Sequence, residues 1–354
     1  MTIENRFEER FGSPPAAVAE APGRVNLIGE HVDYNGGTVL PMAVQQGITI
    51  GLRPNGSTEH CIASTSFGEA VTRNTADAKT EHWSDYIVGA LQEADALGMA
   101  TGGADVFVDS TLPAGSGLSS SAALITAVLR AAAILSGTTI DAITVAQAAR
   151  RVENRYIGVP CGIMDQMAVG LCLPGTALKL NTQTLAHEII PLPTDWAISI
   201  VHSGVTRKLS DGRYEARFQE CAEIKQRLGT DDLCHLDPEA AETPDLPQNL
   251  KARLQHIISD HLRTEQAARH MHDGNLDAFG ALMTASHSSY AKDFEASHLD
   301  IDAIVATACA GGAKGARLTG GGFGGCVVIA TSAADKSGVL DSILAAHPNA
   351  WIIQ

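Results

Sequence analysis

Positive charge is scarce in this chain. Its 354 residues carry 25 Lys and Arg against 40 Asp and Glu, a net charge of −15. That balance argues against a non-specific nucleic-acid binder and against docking on an anionic membrane surface. A small polyanion held in a local pocket remains compatible with it. Long apolar runs are missing too: no stretch reaches the roughly 18 apolar residues of a membrane span, and Arg130 interrupts the longest candidate, around 122–135. The opening residues MTIENRFEERFGSPP are charged and lack the apolar stretch of about 7–15 residues that a secretory signal needs. The seven cysteines (61, 161, 172, 221, 234, 309, 326) are odd in number and include no C-x-x-C pair, which fits free thiols in a reducing compartment. A cytoplasmic location is therefore expected. Only 18% of residues are charged and 45% are hydrophobic, which excludes a disordered chain.

Length alone predicts two domains or one large one. Pro191-Leu-Pro-Thr-Asp195 is the best candidate boundary, dividing the chain into 1–193 and 194–354. The spacing predicts helices over 4–11, 83–97, 121–135, 141–156, 211–228, 249–273, 275–291, 299–310 and 334–346. It predicts strands or extended segments over 19–26, 39–44, 48–53, 60–64, 103–109, 196–202, 316–319, 326–330 and at the closing WIIQ. Gln45-Gln46-Gly47 reads as the turn of a hairpin, and the acidic, proline-bearing segment 230–248 as an exposed loop. The fold class is α+β, with two subdomains each built of a sheet covered by helices on one face.

Glycine is abundant, at 34 residues, and its clustering carries the chemistry. LPAGSGLSSSAA (112–123) lies between a strand and a helix. Gly115 and Gly117 let a ligand approach the backbone, and the following helix start favours an anion. No G-K-[ST] follows, so it is not a Walker A loop. By itself the segment is either an anion-binding turn or a Gly/Ser turn with a serine cap. GGGFGG (320–325) matches G-x-G-x-x-G formally, but CVVIA follows where a dinucleotide fold needs a helix, so a tight inter-strand loop is expected. GRVNLIGEHVDYNGG (23–37) packs Arg24, Glu30, His31 and Asp33 into ten residues, a set able to read sugar hydroxyls or simply a solvated loop. Asp165, in PCGIMDQ (160–166), reads as a helix cap before it reads as a base. His256, His261, His270 and His272 are expected on a solvated helix face, without a metal.

Together these segments resemble the galactokinases, within the superfamily of small-molecule kinases that also holds homoserine, mevalonate and phosphomevalonate kinases. GRVNLIGEHVDYNGG resembles the galactokinase signature, LPAGSGLSSSAA the superfamily phosphate loop, CGIMDQ the segment with the catalytic aspartate, and LTGGGFGGCVV the third motif. The resemblance implies a two-domain GHMP kinase fold, with an N-terminal ribosomal-S5-domain-2-like domain for nucleotide and sugar and a C-terminal ferredoxin-like domain, the site lying in the cleft between them. It implies transfer of phosphate from Mg-ATP to the anomeric C1 hydroxyl of α-D-galactose. Asp165 is then the base and Arg24 its neighbour at the reacting hydroxyl. Glu30, His31, Asp33, Gly162 and Tyr214 are implied as sugar contacts. Gly115, Ser116, Gly117, Leu118, Ser119, Ser120 and Ser121 are implied for the ATP phosphates, and Trp83 and Tyr86 for adenine, although i, i+3 core packing would otherwise explain that pair. Ser121 and Glu153 are implied as Mg²⁺ ligands, a donor set suited to a hard ion.

Two departures from the family pattern stand out. Ala123-Leu124-Ile125 stands where Ser-Leu-Glu is common, and Val32 where Thr is usual. They bear on the identity of the sugar more than on the reaction. Competing readings are a related anomeric kinase acting on arabinose, N-acetylgalactosamine or galacturonate, and a galactose sensor without turnover. A nicotinamide dehydrogenase rests on the 320–325 glycines alone. The partners expected are the small-molecule substrates galactose and ATP, with no nucleic acid and no membrane, in a monomer or at most a weak homodimer.

Overall fold

A computed structural model describes residues 1–113, 115–206 and 212–354. In chain order the elements begin α1 (Ile3–Phe11), β1 (Ala17–Asn26), β2 (Thr38–Val39), β3 (Pro41–Pro54), β4 (Glu59–Ser64), β5 (Val71–Asn74), α2 (Asp85–Ala96), β6 (Ala104–Ser110), α3 (Ser120–Ser136), α4 (Ala142–Arg151) and α5 (Met164–Leu171). They continue with β7 (Thr176–Asn181), β8 (His187–Pro191), β9 (Trp196–His202), α6 (Arg213–Leu228), α7 (Gln248–His272), α8 (Leu276–Lys292), α9 (Leu299–Ala310), β10 (Gly315–Leu318), β11 (Cys326–Ser332), α10 (Lys336–Ala346) and β12 (Trp351–Ile352). Among the described residues no helix is long and apolar enough to cross a membrane. The chain forms two compact units, each discontinuous in sequence.

The first unit takes in residues 1–24, 44–114 and 119–171. Here β6 pairs antiparallel with β3 and parallel with β4, and β5 closes the edge against β4. Gln45-Gln46-Gly47 is not a turn: β3 runs straight through it. Gly47 is small because β1 passes close by, so that a side chain there would meet the Ala21 carbonyl oxygen at 2.7 Å. Helices α2, α3, α4 and α5 pack on one another. The centre of this group is α3, whose residues 122–129 and 131–133 are all buried. The helix expected over 141–156 changes character at Arg151 and ends in a wide π-helical turn over Val152–Ile157, terminated by left-handed Gly158. Such turns are rare and recur at functional sites, and this one carries the buried Glu153.

The second unit takes in 25–43, 115–118 and 172–354. Its main sheet runs β10-β11-β9-β12, antiparallel throughout, with Val328 opposite both Arg317 and Ile200. Six consecutive residues of β11 are buried, as expected of a central strand covered on both faces. The segment 230–248 is not simply exposed: Leu233, Cys234, Ala241 and Leu246 are buried, and a short 3₁₀ turn spans Pro238–Glu242. The N–H groups of Leu233 and Cys234 both donate to the Asn35 carbonyl, at 3.2 and 3.3 Å, and Lys225 Nζ donates to the Tyr34 carbonyl at 2.6 Å. This segment therefore clamps residues 32–37. The first residue of the helix expected over 211–228 lies outside the described residues. The long helix α7 is also not solvated all round, since His256 and His261 are buried in it.

Candidate active site

In the first unit, Asp165 stands in the first turn of α5. Its Oδ1 accepts Nε and Nη2 of Arg24 at 2.9 and 2.7 Å, and its Oδ2 accepts the Ser119 hydroxyl at 2.5 Å. The Arg24 side chain is 5% exposed and that of Asp165 32%. The carboxylate is thus held at both oxygens by side chains, not spent on capping its own helix, which corrects the cap reading. Its remaining exposure leaves part of the carboxylate accessible.

Beside it in the same unit, Ser121 donates to Glu153 Oε1 at 2.6 Å. Gln166 and the Cys161 thiol approach Oε2. Burial pushes the Glu153 carboxyl up to about 7, with the Asp165 charge adding to the rise against the hydrogen bonds from Ser121, Gln166 and Cys161. Among the described residues no group of three or more His, Cys, Asp or Glu could hold a metal by itself. A hydroxyl and a carboxylate with oxygen donors suit Mg²⁺, which keeps water and takes further ligands from phosphates. The residues present fit that ion.

Trp83 stacks on Phe67, ring centroids 4.9 Å apart and planes at 16°. Phe67 is exposed and Trp83 half-buried. The Trp83 segment is fixed by Asp85, a buried acid that accepts Arg73 Nη1 at 2.9 Å and the Thr80 N–H at 2.9 Å. Burial works to raise Asp85, but these donors hold it below its ordinary value. Burial raises the half-buried Tyr86 phenol, helped by the charges of Glu153 and Asp85. Gly162 is buried just ahead of α5.

In the second unit, Glu30 is 2% exposed. Its Oε1 accepts the Gly320 N–H at 2.7 Å, the Thr319 hydroxyl at 3.3 Å and Arg317 Nη1 at 3.4 Å. His31 takes a left-handed φ of 59°. Its Nε2 lies 2.9 Å from the Tyr290 hydroxyl and its Nδ1 2.7 Å from that of Tyr34. Tyr290 donates its one proton to the Gly320 carbonyl, so in the neutral ring His31 Nε2 donates and Nδ1 accepts. Tyr214 and Phe294 flank the imidazole at 5.3 and 4.6 Å. Asp33 is half-buried on the clamped loop. Gly115 and Gly117 have φ of 70° and 75°, and Ser116 is buried with its carbonyl 3.1 Å from Cys326 Sγ. Leu118 is buried and Ser120 exposed.

The 320–325 loop leads straight into β11, not into a helix, which removes the dinucleotide reading. Its residues 320, 322, 324 and 325 all have positive φ, and a side chain at Gly322 would lie 2.8 Å from the Tyr290 hydroxyl. Arg317, Tyr290 and Phe67 escaped the sequence reading. Arg317 and Tyr290 sit in ordinary strand and helix patterns, and Phe67 is an isolated aromatic in a loop.

Three family models match this chain: the galactokinase galactose-binding signature over 5–54, the GHMP kinase N-terminal domain over 85–172, and the GHMP kinase C-terminal region over 265–349. A galactokinase of Roseiflexus sp. strain RS-1 is 36% identical over 92% of this chain and 86% of its own length. One from Chloroflexus aurantiacus is 35% identical over 100% of this chain and 92% of its own. The chain belongs to the galactokinase family. Lactococcus lactis galactokinase, solved in complex with galactose, superposes with a TM-score of 0.92 at 31% identity, covering 99% of this chain and 96% of that one. The mevalonate kinase of Methanococcus jannaschii, at 22% identity and a TM-score of 0.69 over 95% of this chain and 96% of its own, shares the fold. The GHMP kinase fold expected from the galactokinase motifs is therefore the one observed.

Proposed function

We propose that this chain transfers the γ-phosphoryl group of ATP to the anomeric C1 hydroxyl of α-D-galactose, with Mg²⁺ as cofactor, in the cytoplasm. The observation that carries the reading is the Asp165 carboxylate, gripped by Arg24 and Ser119 yet still open to a ligand. The match to the galactose-binding signature over 5–54, which contains Arg24, Glu30, His31 and Asp33, supports galactose as the acceptor. The matched segments 85–172 and 265–349 fall on opposite sides of the boundary we place at 193/194.

In this reading the C1 oxygen bonds to the γ-phosphorus, the bond from that phosphorus to the β–γ bridging oxygen breaks, and ADP leaves. Asp165 takes the C1 hydroxyl proton. The transition state of phosphoryl transfer is loose, so that proton can leave late and positioning matters more than basicity. Arg24 fixes the carboxylate through Oδ1 and holds the nucleophilic oxygen beside it. Ser121 and Glu153 would hold Mg²⁺, which when bound neutralises charge on the β- and γ-phosphates. The N-terminal N–H groups of α3 and the 115–118 backbone take phosphate oxygens. Trp83 and Tyr86 pack on adenine. Glu30, His31, Asp33, Gly162 and Tyr214 take the sugar, Glu30 and His31 in orientations set by Gly320, Thr319, Tyr34 and Tyr290.

The test is a coupled ADP-release assay on galactose, glucose, arabinose, N-acetylgalactosamine and galacturonate. Galactose is expected to give the highest kcat/KM. A different sugar at the top reassigns the acceptor, and no ADP release with any of them identifies a sensor instead of an enzyme.

A further inference from the structure

Ser119 stands at the N-cap of α3 but does not cap it. A capping serine is extended and accepts an N–H from the first turn of its helix. Ser119 is left-handed, with φ 57° and ψ 44°, and makes no such bond. Left-handed backbone is costly for any residue with a Cβ and persists where the surroundings enforce it, commonly at functional sites. The residue gives up its cap and accepts strained backbone, and what it gains is one bond: its hydroxyl donates to Asp165 Oδ2 at 2.5 Å. It is 8% exposed, so water competes little for that donor.

The two oxygens of Asp165 are used asymmetrically. Both Arg24 nitrogens converge on Oδ1, and Ser119 alone among the described residues engages Oδ2. With Arg24 alone, the carboxylate could pivot about its Cβ–Cγ bond around the oxygen that the guanidinium holds. The second anchor, on the other oxygen, removes that rotation and fixes the direction of the free lone pairs. A serine hydroxyl has one proton. While it is given to Asp165 it is not available to a phosphate oxygen. The next serines divide the remaining work: Ser120 is exposed, and Ser121 is committed to Glu153.

We propose that Ser119 is a positioning residue for Asp165 and not a phosphate ligand of ATP. This deepens the reading of Asp165 as the proton acceptor and rests on it. Ser119 locks the plane of the carboxylate so that a lone pair meets the C1 hydroxyl, and its left-handed backbone is what carries the hydroxyl away from its own helix and onto the acid.

The experiment compares full-length Ser119→Ala and Ser119→Gly with the parent protein, titrating ATP and galactose separately. It also measures affinity for a non-hydrolysable ATP analogue by calorimetry. Alanine removes the hydroxyl and keeps the backbone strain; glycine removes both, so a folding defect caused by strain separates the two variants. Mispositioning of a reacting group costs up to roughly 10²-fold, and both variants are expected to lose about 10- to 100-fold in kcat, with KM for ATP and analogue affinity within about twofold of the parent. A variant pair with near-parental kcat overturns the proposal. So does a rise of about tenfold or more in KM for ATP with kcat unchanged, which is the signature of a lost phosphate contact. Asp165→Asn, run alongside, isolates the underlying reading: if it turns over normally the base assignment fails, whereas if it is inactive and Ser119→Ala is not, only the positioning role fails.

Discussion

Glu30 and Gly320, 290 positions apart in sequence, are joined by a 2.7 Å hydrogen bond from the Gly320 N–H to the Glu30 carboxylate. Arg317, three residues before that glycine, reaches the same oxygen and is itself 0% exposed. Its Nε and Nη2 have no hydrogen-bond partner among the described residues. Burial would raise the neighbouring Asp260, yet Asp260 lies below its ordinary value because positive groups face it. His256 is neutral near pH 7, which leaves Arg317 and Arg263 to supply that charge. Arg317 is thus a buried cation facing two buried acids.

Removing it takes the guanidinium away from Glu30 and leaves Asp260 with Arg263. Breaking a buried charge pair costs about 3–5 kcal/mol, and Arg317→Met is expected to lose stability on that scale in urea unfolding. Parental stability of that variant would show that Arg317 does not compensate Glu30 and Asp260.

Asp165→Asn keeps the size of the side chain and removes its ability to take a proton. A drop in kcat of at least about 10²-fold is expected, a general-base magnitude, with KM for galactose changed far less. Steady-state kinetics decide it.

The exposed Phe67 lies flat on Trp83 and extends the aromatic surface proposed for adenine. Stacking of a base on an aromatic ring contributes about 1–3 kcal/mol. Phe67→Ala and Trp83→Ala are each expected to raise KM for ATP roughly fivefold or more, leaving KM for galactose unaltered. Unchanged KM for ATP in both would reassign the pair to surface packing.

His256 and His287 are buried, and burial lowers both to about 4. Each binds a proton more readily in the unfolded chain, where histidine titrates near 6.5. The sign follows: their contribution is fully present above about pH 6.5 and is lost as pH falls toward 4. Urea midpoints measured at pH 8, 6 and 5 are expected to fall in that order, and His256→Gln to flatten the trend. A midpoint that rises toward pH 5 would contradict the neutral buried state.

Much of this was legible in the residues because the phosphate-loop, aspartate and glycine motifs are local. Each needs only a turn and the start of a helix or strand. What escaped depends on tertiary neighbours. Gly47 looks like a turn residue, but the strand running past it at Ala21 demands a small side chain in a straight strand. Leu233 and Cys234 look like loop residues until the Asn35 carbonyl is there to bind them. His256 looks solvated on a charged helix, yet it hydrogen-bonds to Ser289 and packs against Tyr290 and Phe294. The short strands β5, β7 and β8 carry too little pattern to be seen before their pairings. Asp165 reads as a cap because its true partners lie 141 and 46 positions away.

The Glu30 geometry predicts discrimination between epimers. A site built to hydrogen-bond one sugar hydroxyl loses that bond with the epimer that places it elsewhere, a penalty of roughly 10⁴-fold. Glucose is therefore expected to be a very poor acceptor, and similar kcat/KM for glucose and galactose would remove Glu30 from the recognition set.

The central claim is transfer of phosphate to the anomeric oxygen, and phosphorus NMR of the product of ATP, Mg²⁺ and α-D-galactose tests it most directly. One new phosphomonoester coupled to the anomeric proton is expected, formed in equal amount with ADP. Phosphate appearing on any other carbon, or no phosphorylated sugar at all, would contradict it.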